Sequence, residues 1–307
     1  MRPGIIQKLK VFLIGSLFCF SSLSGFSQQV ADTLYNPVVS DPVFSRGQGS
    51  IVMLDDAHSN FHTLNGRFRA FASLLERDGY VLQASSASFT AAQLSKGKIL
   101  VIANALHPSN RLQWTLPTPS AFTDAEIEVV NDWVKNGGSL FLIADHMPFP
   151  GAAEKLAASF GFKFYNGFAM KNGDKDIFSH GNGLIVNGLT RGRNDKETIT
   201  SLQTFTGQAF EIPQSAQPIV MFNSKYTVKL PQTAWDFKKD TPTISGEGLV
   251  QGAYMKYGKG RIVVFGEAAM FTAQLQGKTK VGMNQKSASQ NAQFLLNTIH
   301  WLDGILD

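Results

Sequence analysis

Apolar and polar positions along the chain alternate between short unbroken apolar runs and amphipathic stretches. Ile51-Val52-Met53-Leu54, Ile99-Leu100-Val101-Ile102-Ala103, Ser139-Leu140-Phe141-Leu142-Ile143-Ala144 and Arg261-Ile262-Val263-Val264-Phe265 have strand length and lack a polar face. That pattern predicts strands covered on both sides. Between them, Phe68, Phe71, Ala72 and Leu75 recur at helical spacing up to Asp78-Gly79. Ile127, Val130 and Val134 follow the capping signal Thr123-Asp124-Ala125-Glu126 and stop at Gly137-Gly138. Ala153, Leu156, Ala157 and Phe160 predict another helix, closed by Gly161, and Ala292, Leu295, Leu296, Ile299 and Leu302 a terminal one from Ala288. A strand at Tyr80 to Ala84 and a helical turn at Ala91 to Leu94 complete the series. Strands alternating with short helices imply right-handed βαβ crossovers and a largely parallel sheet with helices on both faces.

The rhythm breaks between about residues 164 and 248, where Thr, Asn, Gly and Pro are frequent and β-prone pieces are short. A mainly β insertion is expected there. A strand at Leu249 to Tyr257 then leads through the tight turn Gly258-Lys259-Gly260 into the last apolar run. Residues 28–48, punctuated by Pro37, Pro42 and Gly47, predict an extended N-terminal arm before a single α/β domain over 49–307.

The first 27 residues have the form of a cleavable signal peptide: Arg2, Lys8 and Lys10, then the apolar stretch Val11 to Phe20, then Gly25-Phe26-Ser27. A periplasmic or secreted protein is the expectation, without a stable membrane anchor. Removing three cations lowers the net charge of +5 to +2, too little for a nucleic-acid surface. Cys19, the single cysteine, lies in the same segment, so the mature chain is expected to have no thiolate ligand, disulfide or cysteine nucleophile.

Polar residues gather where the apolar runs end, and in open α/β sheets those ends border the ligand crevice. The first run opens into Asp55, Asp56, His58, Asn60 and His62; the second into Asn104 and His107; the third into Asp145-His146; the fourth into Gly266-Glu267. In a catalytic role, His58 or His146 serves as general base with Asp55, Asp145 or Glu267 as the orienting or acidic group. Asp55, Asp56, Asn60, His62, Asn104, His107 and Trp114 are the expected ligand contacts. Equally, Asp55 and Asn60 are ordinary turn and capping residues, and Glu267 an ordinary first-turn acid. The histidines and carboxylates also form a nitrogen and oxygen set suited to a divalent metal. His107 and Trp114 share a loop rich in proline (Pro108, Pro117, Pro119), the composition of a lid in which Trp114 stacks on a sugar or anchors the loop.

Two stretches carry a resemblance. Trp133-Val134-Lys135-Asn136-Gly137-Gly138-Ser139-Leu140-Phe141-Leu142-Ile143-Ala144-Asp145 and Gly258-Lys259-Gly260-Arg261-Ile262-Val263-Val264-Phe265-Gly266-Glu267 resemble class I glutamine amidotransferase-like domains. With the closing helix Asn291 to Leu302, they are similar to the branch related to gliding-motility accessory proteins. The resemblance implies a flavodoxin-like three-layer sandwich with its pocket at the strand ends. Where that family carries its cysteine, this chain has Asp145-His146, so glutaminase chemistry through a thioester is excluded. Two functions remain: a domain that binds a small polar or carbohydrate-like ligand, or a hydrolase or lyase that uses histidine and carboxylate, with or without metal.

Overall fold

The computed structural model describes residues 29–173 and 175–307, so the expected signal peptide lies outside the described residues. Among the described residues, five strands form the central parallel part of the sheet: β1 (Ile51–Asp55), β2 (Val81–Ser85), β3 (Ile99–Ala103), β4 (Ser139–Ile143) and β5 (Gly260–Phe265). Their spatial order is β2-β1-β3-β4-β5, every neighbouring pair parallel. Such an order reverses its winding between β1 and β3, which opens a crevice beyond the carboxyl ends of those two strands.

The helices are α1 (Arg69–Arg77), α2 (Ala91–Leu94), α3 (Asp124–Lys135), α4 (Phe149–Ser159), α5 (Gly188–Arg191) and α6 (Asn291–Asp303). Successive strand residues point to opposite faces, so the apolar runs feed two cores at once. Val52, Leu54, Val101, Phe141 and Val263 pack with Phe71 and Leu75 of α1 and with Phe294 and Ile299 of α6. Leu100, Ile102, Leu140, Leu142 and Val264 pack with Leu94 of α2, Ile127 and Val130 of α3, and Leu156 of α4. Every side chain of β3 is fully buried, the requirement that removed polar residues from this strand. Each fully buried Phe or Leu of these layers contributes about 1.5–3 kcal/mol relative to exposure.

Beyond β5 the sheet changes character. Val250–Tyr257 pairs antiparallel with β5 through the Gly258-Lys259-Gly260 turn. Gln217–Met221 and Phe210–Glu211 then pair antiparallel with Val250–Tyr257. Between α4 and this strand lie short strands joined by longer turns and loops, and six of them bring the sheet to twelve strands among the described residues. A separate three-stranded antiparallel sheet joins Phe168–Lys171, Tyr226–Lys229 and Thr243–Ser245. The terminal helix begins at Asn291, three residues later than its apolar spacing predicts, because Lys286–Ala288 forms a 3₁₀ turn first.

The arm lies against the domain. Val30–Ala31 pairs antiparallel with Ala273–Gln276, and Val43 N–H donates to the Asp78 carboxylate at 2.9 Å. Asp78 also accepts from His300 of α6, both side chains being fully buried, so one carboxylate ties arm, α1 and α6.

The turn before β5 has no room for side chains. Gly258 has φ +58°, and a Cβ on Gly260 would stand 2.1 Å from the carbonyl oxygens of Gly138 and Val134. Both are backbone atoms and cannot rotate away. Gly260→Ala is therefore expected to destabilise by about 1–3 kcal/mol through forced backbone shifts. Urea unfolding would read this as a lowered midpoint; an unchanged midpoint would mean that α3, β4 and β5 meet less closely than described.

Candidate functional site

At the end of β1 the polar cluster closes on itself. Ser59, at φ +49°, turns the chain back so that the His58 ring lies over Asp55. His58 Nδ1 is 2.9 and 3.0 Å from the two Asp55 carboxylate oxygens, and Nε2 is 3.0 Å from Glu126 Oε1. The rings of Phe89 and Phe122 flank the imidazole at 4.7 Å each. Asn60 Nδ2 donates to Asp55 at 3.0 Å, and Asn60 Oδ1 accepts the His58 N–H. Glu126 also completes the Thr123 capping box that starts α3. Burial works against charge on His58, but Asp55 and Glu126 outweigh it and raise its pKa. Burial likewise opposes charge on Glu126, yet bonds from Thr123 and His58 hold its carboxylate down at about 2. The result is a clip that pins α3 to β1, with both imidazole nitrogens occupied.

Asn104 follows β3 in the left-handed region, φ +52°, and is almost fully buried. Its Nδ2 donates to His62 Nδ1 at 3.1 Å, and its Oδ1 accepts the Asp145 N–H at 2.8 Å. One amide side chain thus joins the loops after β1, β3 and β4. Burial, helped by the charges of Arg67 and His146, pushes His62 down to about 3, so it is a neutral acceptor. Asp145 accepts the His146 N–H at 2.7 Å and the Ala268 N–H at 3.3 Å. Glu267 accepts from Ala269 and Met270, each at 2.8 Å, and orders the turn after β5. Burial first, and then the Asp145 charge, push the Glu267 carboxyl well up.

His146 is differently placed. Its Nδ1 lies 2.8 Å from the Met147 carbonyl, which assigns the proton to Nδ1 and leaves Nε2 as an acceptor. The half-buried imidazole stacks on Phe168 at 4.7 Å and meets Trp235 at 4.8 Å, with Trp114 and Phe149 each at 5.8 Å. Trp114 and Trp235 belong to different loops that pair: Leu116 N–H donates to Gln232 O at 2.9 Å and Ala234 N–H to Trp114 O at 2.8 Å. Buried Asn110 holds the first loop, its Nδ2 donating to the carbonyls of Gln113, Thr115 and Pro117. Phe61 continues the wall, 5.3 Å from Trp114 and 5.6 Å from Phe149, with the Arg67 guanidinium 3.9 Å above its ring. A cleft of about 240 Å³ beside it is bordered by Asp56, Asn60, Arg67 and Arg111. An open groove of about 640 Å³ runs from Arg111 past Trp114 to Thr233.

The structure therefore separates the expected residues into three groups. Asp55, His58 and Asn60 form one closed network; His62, Asn104, Asp145 and Glu267 are successive parts of a buried belt; Asp56 and Trp114 border open space, with His146 half-buried behind the aromatic rings. His107 is half-buried and caps the turn Pro108–Asn110 through its Nδ1, apart from the aromatic wall. Among the described residues no group of three or more His, Cys, Asp or Glu could hold a metal ion, so the nitrogen and oxygen set read from sequence is not gathered at one point. No helix among them is long and apolar enough to cross a membrane. Sequence reasoning missed Glu126, Arg67, Arg111, Phe149, Phe168 and Trp235. Only the loop composition around Trp114 pointed toward an aromatic site.

No family model matches the chain, and no curated protein matches it. Among solved structures it is similar to the mmIFT52 N-terminal domain, at 15% identity over 82% of this chain and 97% of that one, with a TM-score of 0.59. At that identity the likeness is one of fold. A cytoplasmic protein from Salmonella typhimurium LT2 matches at 13% identity over 82% of this chain and 98% of that one, TM-score 0.47. A ThuA-like protein from Bacteroides uniformis matches at 11% identity over 82% and 90%, TM-score 0.44.

The His58 clip has a pH signature. Because the folded pKa of His58 is raised from 6.5, its stabilisation is complete below about pH 6.5 and is lost as pH rises through the folded value. Glu126 acts in the opposite sense: its contribution holds above about pH 4.5 and disappears as pH falls toward 2. His58→Gln is expected to cost about 3–5 kcal/mol, since it leaves two buried carboxylates without their cation. It should also flatten the decline of the urea midpoint above neutral pH; an identical pH slope in both proteins would contradict the clip.

Proposed function

We propose that the chain is an exported, flavodoxin-like, amidotransferase-like domain that binds a small polar or carbohydrate-like ligand at the strand ends without transforming it. The two sequence stretches shared with amidotransferase-like domains support this placement and its finer assignment to the branch related to gliding-motility accessory proteins. The observation that carries the binding reading is the aromatic wall around His146. Trp114 and Trp235, supplied by two paired loops, flank an imidazole whose Nε2 has no hydrogen-bond partner among the described residues. Sugar rings present apolar C–H faces that stack on such indoles, while their hydroxyls donate to acceptors of this kind.

Distribution of the carboxylates favours binding over chemistry. A histidine base needs a group that orients its imidazole and stabilises its charge. His146 has a backbone carbonyl in that position, whereas the His58 imidazole is enclosed between Asp55 and Glu126. Asp145 and Glu267 are engaged by backbone N–H groups. One observation favours the hydrolase or lyase reading: burial and the nearby Asp145 raise the Glu267 carboxyl, as in a catalytic acid held toward its neutral form. Glu267 is only 1% exposed, so a substrate would have to displace the turn that covers it.

Tryptophan fluorescence titrated with a panel of neutral oligosaccharides tests the binding reading. Saturable quenching is expected, with roughly tenfold weaker affinity in Trp114→Ala and in Trp235→Ala, about 1.4 kcal/mol for a lost stacking face. His107→Ala should bind like the parent. Affinities indifferent to both indoles would overturn the proposed site, and turnover of the same sugars that disappears in Glu267→Gln would favour the hydrolase.

A further inference from the structure

Beside the aromatic wall, the cleft at the end of β1 carries two guanidinium groups that the binding reading does not yet use. Arg67 Cζ lies 3.9 Å from the centre of the Phe61 ring, and its Nε is enclosed without a hydrogen-bond partner among the described residues. Its single side-chain hydrogen bond among the described residues, Nη1 to the Phe61 carbonyl, is long at 3.4 Å. Neither Arg67 nor Arg111 belongs to an ion pair among the described residues. A guanidinium held rigid on a ring, half-buried and short of acceptors, is costly to leave unfilled and well prepared to take a planar anion at its edge.

We propose that this cleft is a carboxylate subsite, and that the ligand of the strand-end crevice is an acidic saccharide carrying a uronic acid unit. The inference rests on the binding reading above and names its substrate class. Two features select a singly charged carboxylate. Asp56 borders the same cleft and is fixed there by the Leu64 N–H at 3.4 Å, so two cations face one carboxylate and the cleft has a surplus of one positive charge. Arg111 borders both this cleft and the groove past Trp114, which puts an anion site next to a stacking platform. A uronate has that layout, its carboxylate one bond from a pyranose ring. The cleft volume of about 240 Å³ accommodates the carboxylate and its attachment, while the ring stays on the indole.

Calorimetric titration with trigalacturonic acid and with its methyl ester tests the assignment. The acid is expected to bind at least about tenfold tighter than the ester, the scale of one charge-assisted hydrogen-bond pair. Arg111→Gln changes an exposed side chain and should fold normally; it should weaken the acid more than the ester and bring the two affinities together. Arg67→Lys, which keeps the charge but loses the planar fork, should weaken the acid selectively. Equal affinities for acid and ester, with dependence on Trp114 retained, would overturn the carboxylate subsite and leave the binding reading standing. Failure of both ligands to bind would also overturn it, and the neutral-sugar titration would then decide the binding reading separately. Inorganic phosphate binding more tightly than galacturonate would overturn the choice of a singly charged carboxylate.

Discussion

The carboxyl ends of β1, β3, β4 and β5 bury Asp55, Asn104, Asp145 and Glu267, and each must find its hydrogen-bond partners inside the protein. Asn104 is the pivot of this requirement. Its left-handed backbone turns the amide so that one end reaches His62 and the other the Asp145 N–H. A shorter side chain would leave His62 and the elbow after β4 without partners; a charged one would face Asp145. Around that amide, the loops that border the crevice hold a fixed relation to one another.

This constraint also separates scaffolding from ligand contact. His58 is the densest point of polar chemistry in the chain, yet both its nitrogens serve Asp55 and Glu126. Asp145 and Glu267 spend their oxygens on backbone N–H groups. The groups left over are His146 Nε2, the indoles of Trp114 and Trp235, and the guanidiniums of Arg67 and Arg111. They suit recognition of a ring with polar and anionic substituents better than proton transfer, which needs a base with an orienting acid.

Much of the scaffold was legible because burial on both faces of β1, β3, β4 and β5 leaves unbroken apolar runs. The helix starts were legible where capping chemistry is local, as at Thr123 and Glu126. The same locality concealed the second role of Glu126: its partner His58 is 68 residues away, and nothing in a capping box announces a distant imidazole. Trp235 was hidden for a related reason, since the loop that carries it belongs to the β-rich segment and reaches the site only by pairing with residues 114–116. Arg67 has nothing in the sequence around it that announces an aromatic partner. Its place above Phe61 follows from the turn over residues 63–68 that precedes α1, where Gly66 and Phe68 both bond back to the Thr63 carbonyl.

The central claim is that the ligand occupies the strand ends between His146, Trp114 and Trp235. A crystal structure of the protein soaked with an oligosaccharide that binds in solution tests it most directly. The account predicts a sugar ring stacked on Trp114 or Trp235 with a hydroxyl at His146 Nε2. A sugar found instead in the cleft of about 490 Å³ between Asp41, Arg193 and Lys196, which none of the strand-end residues borders, would contradict it.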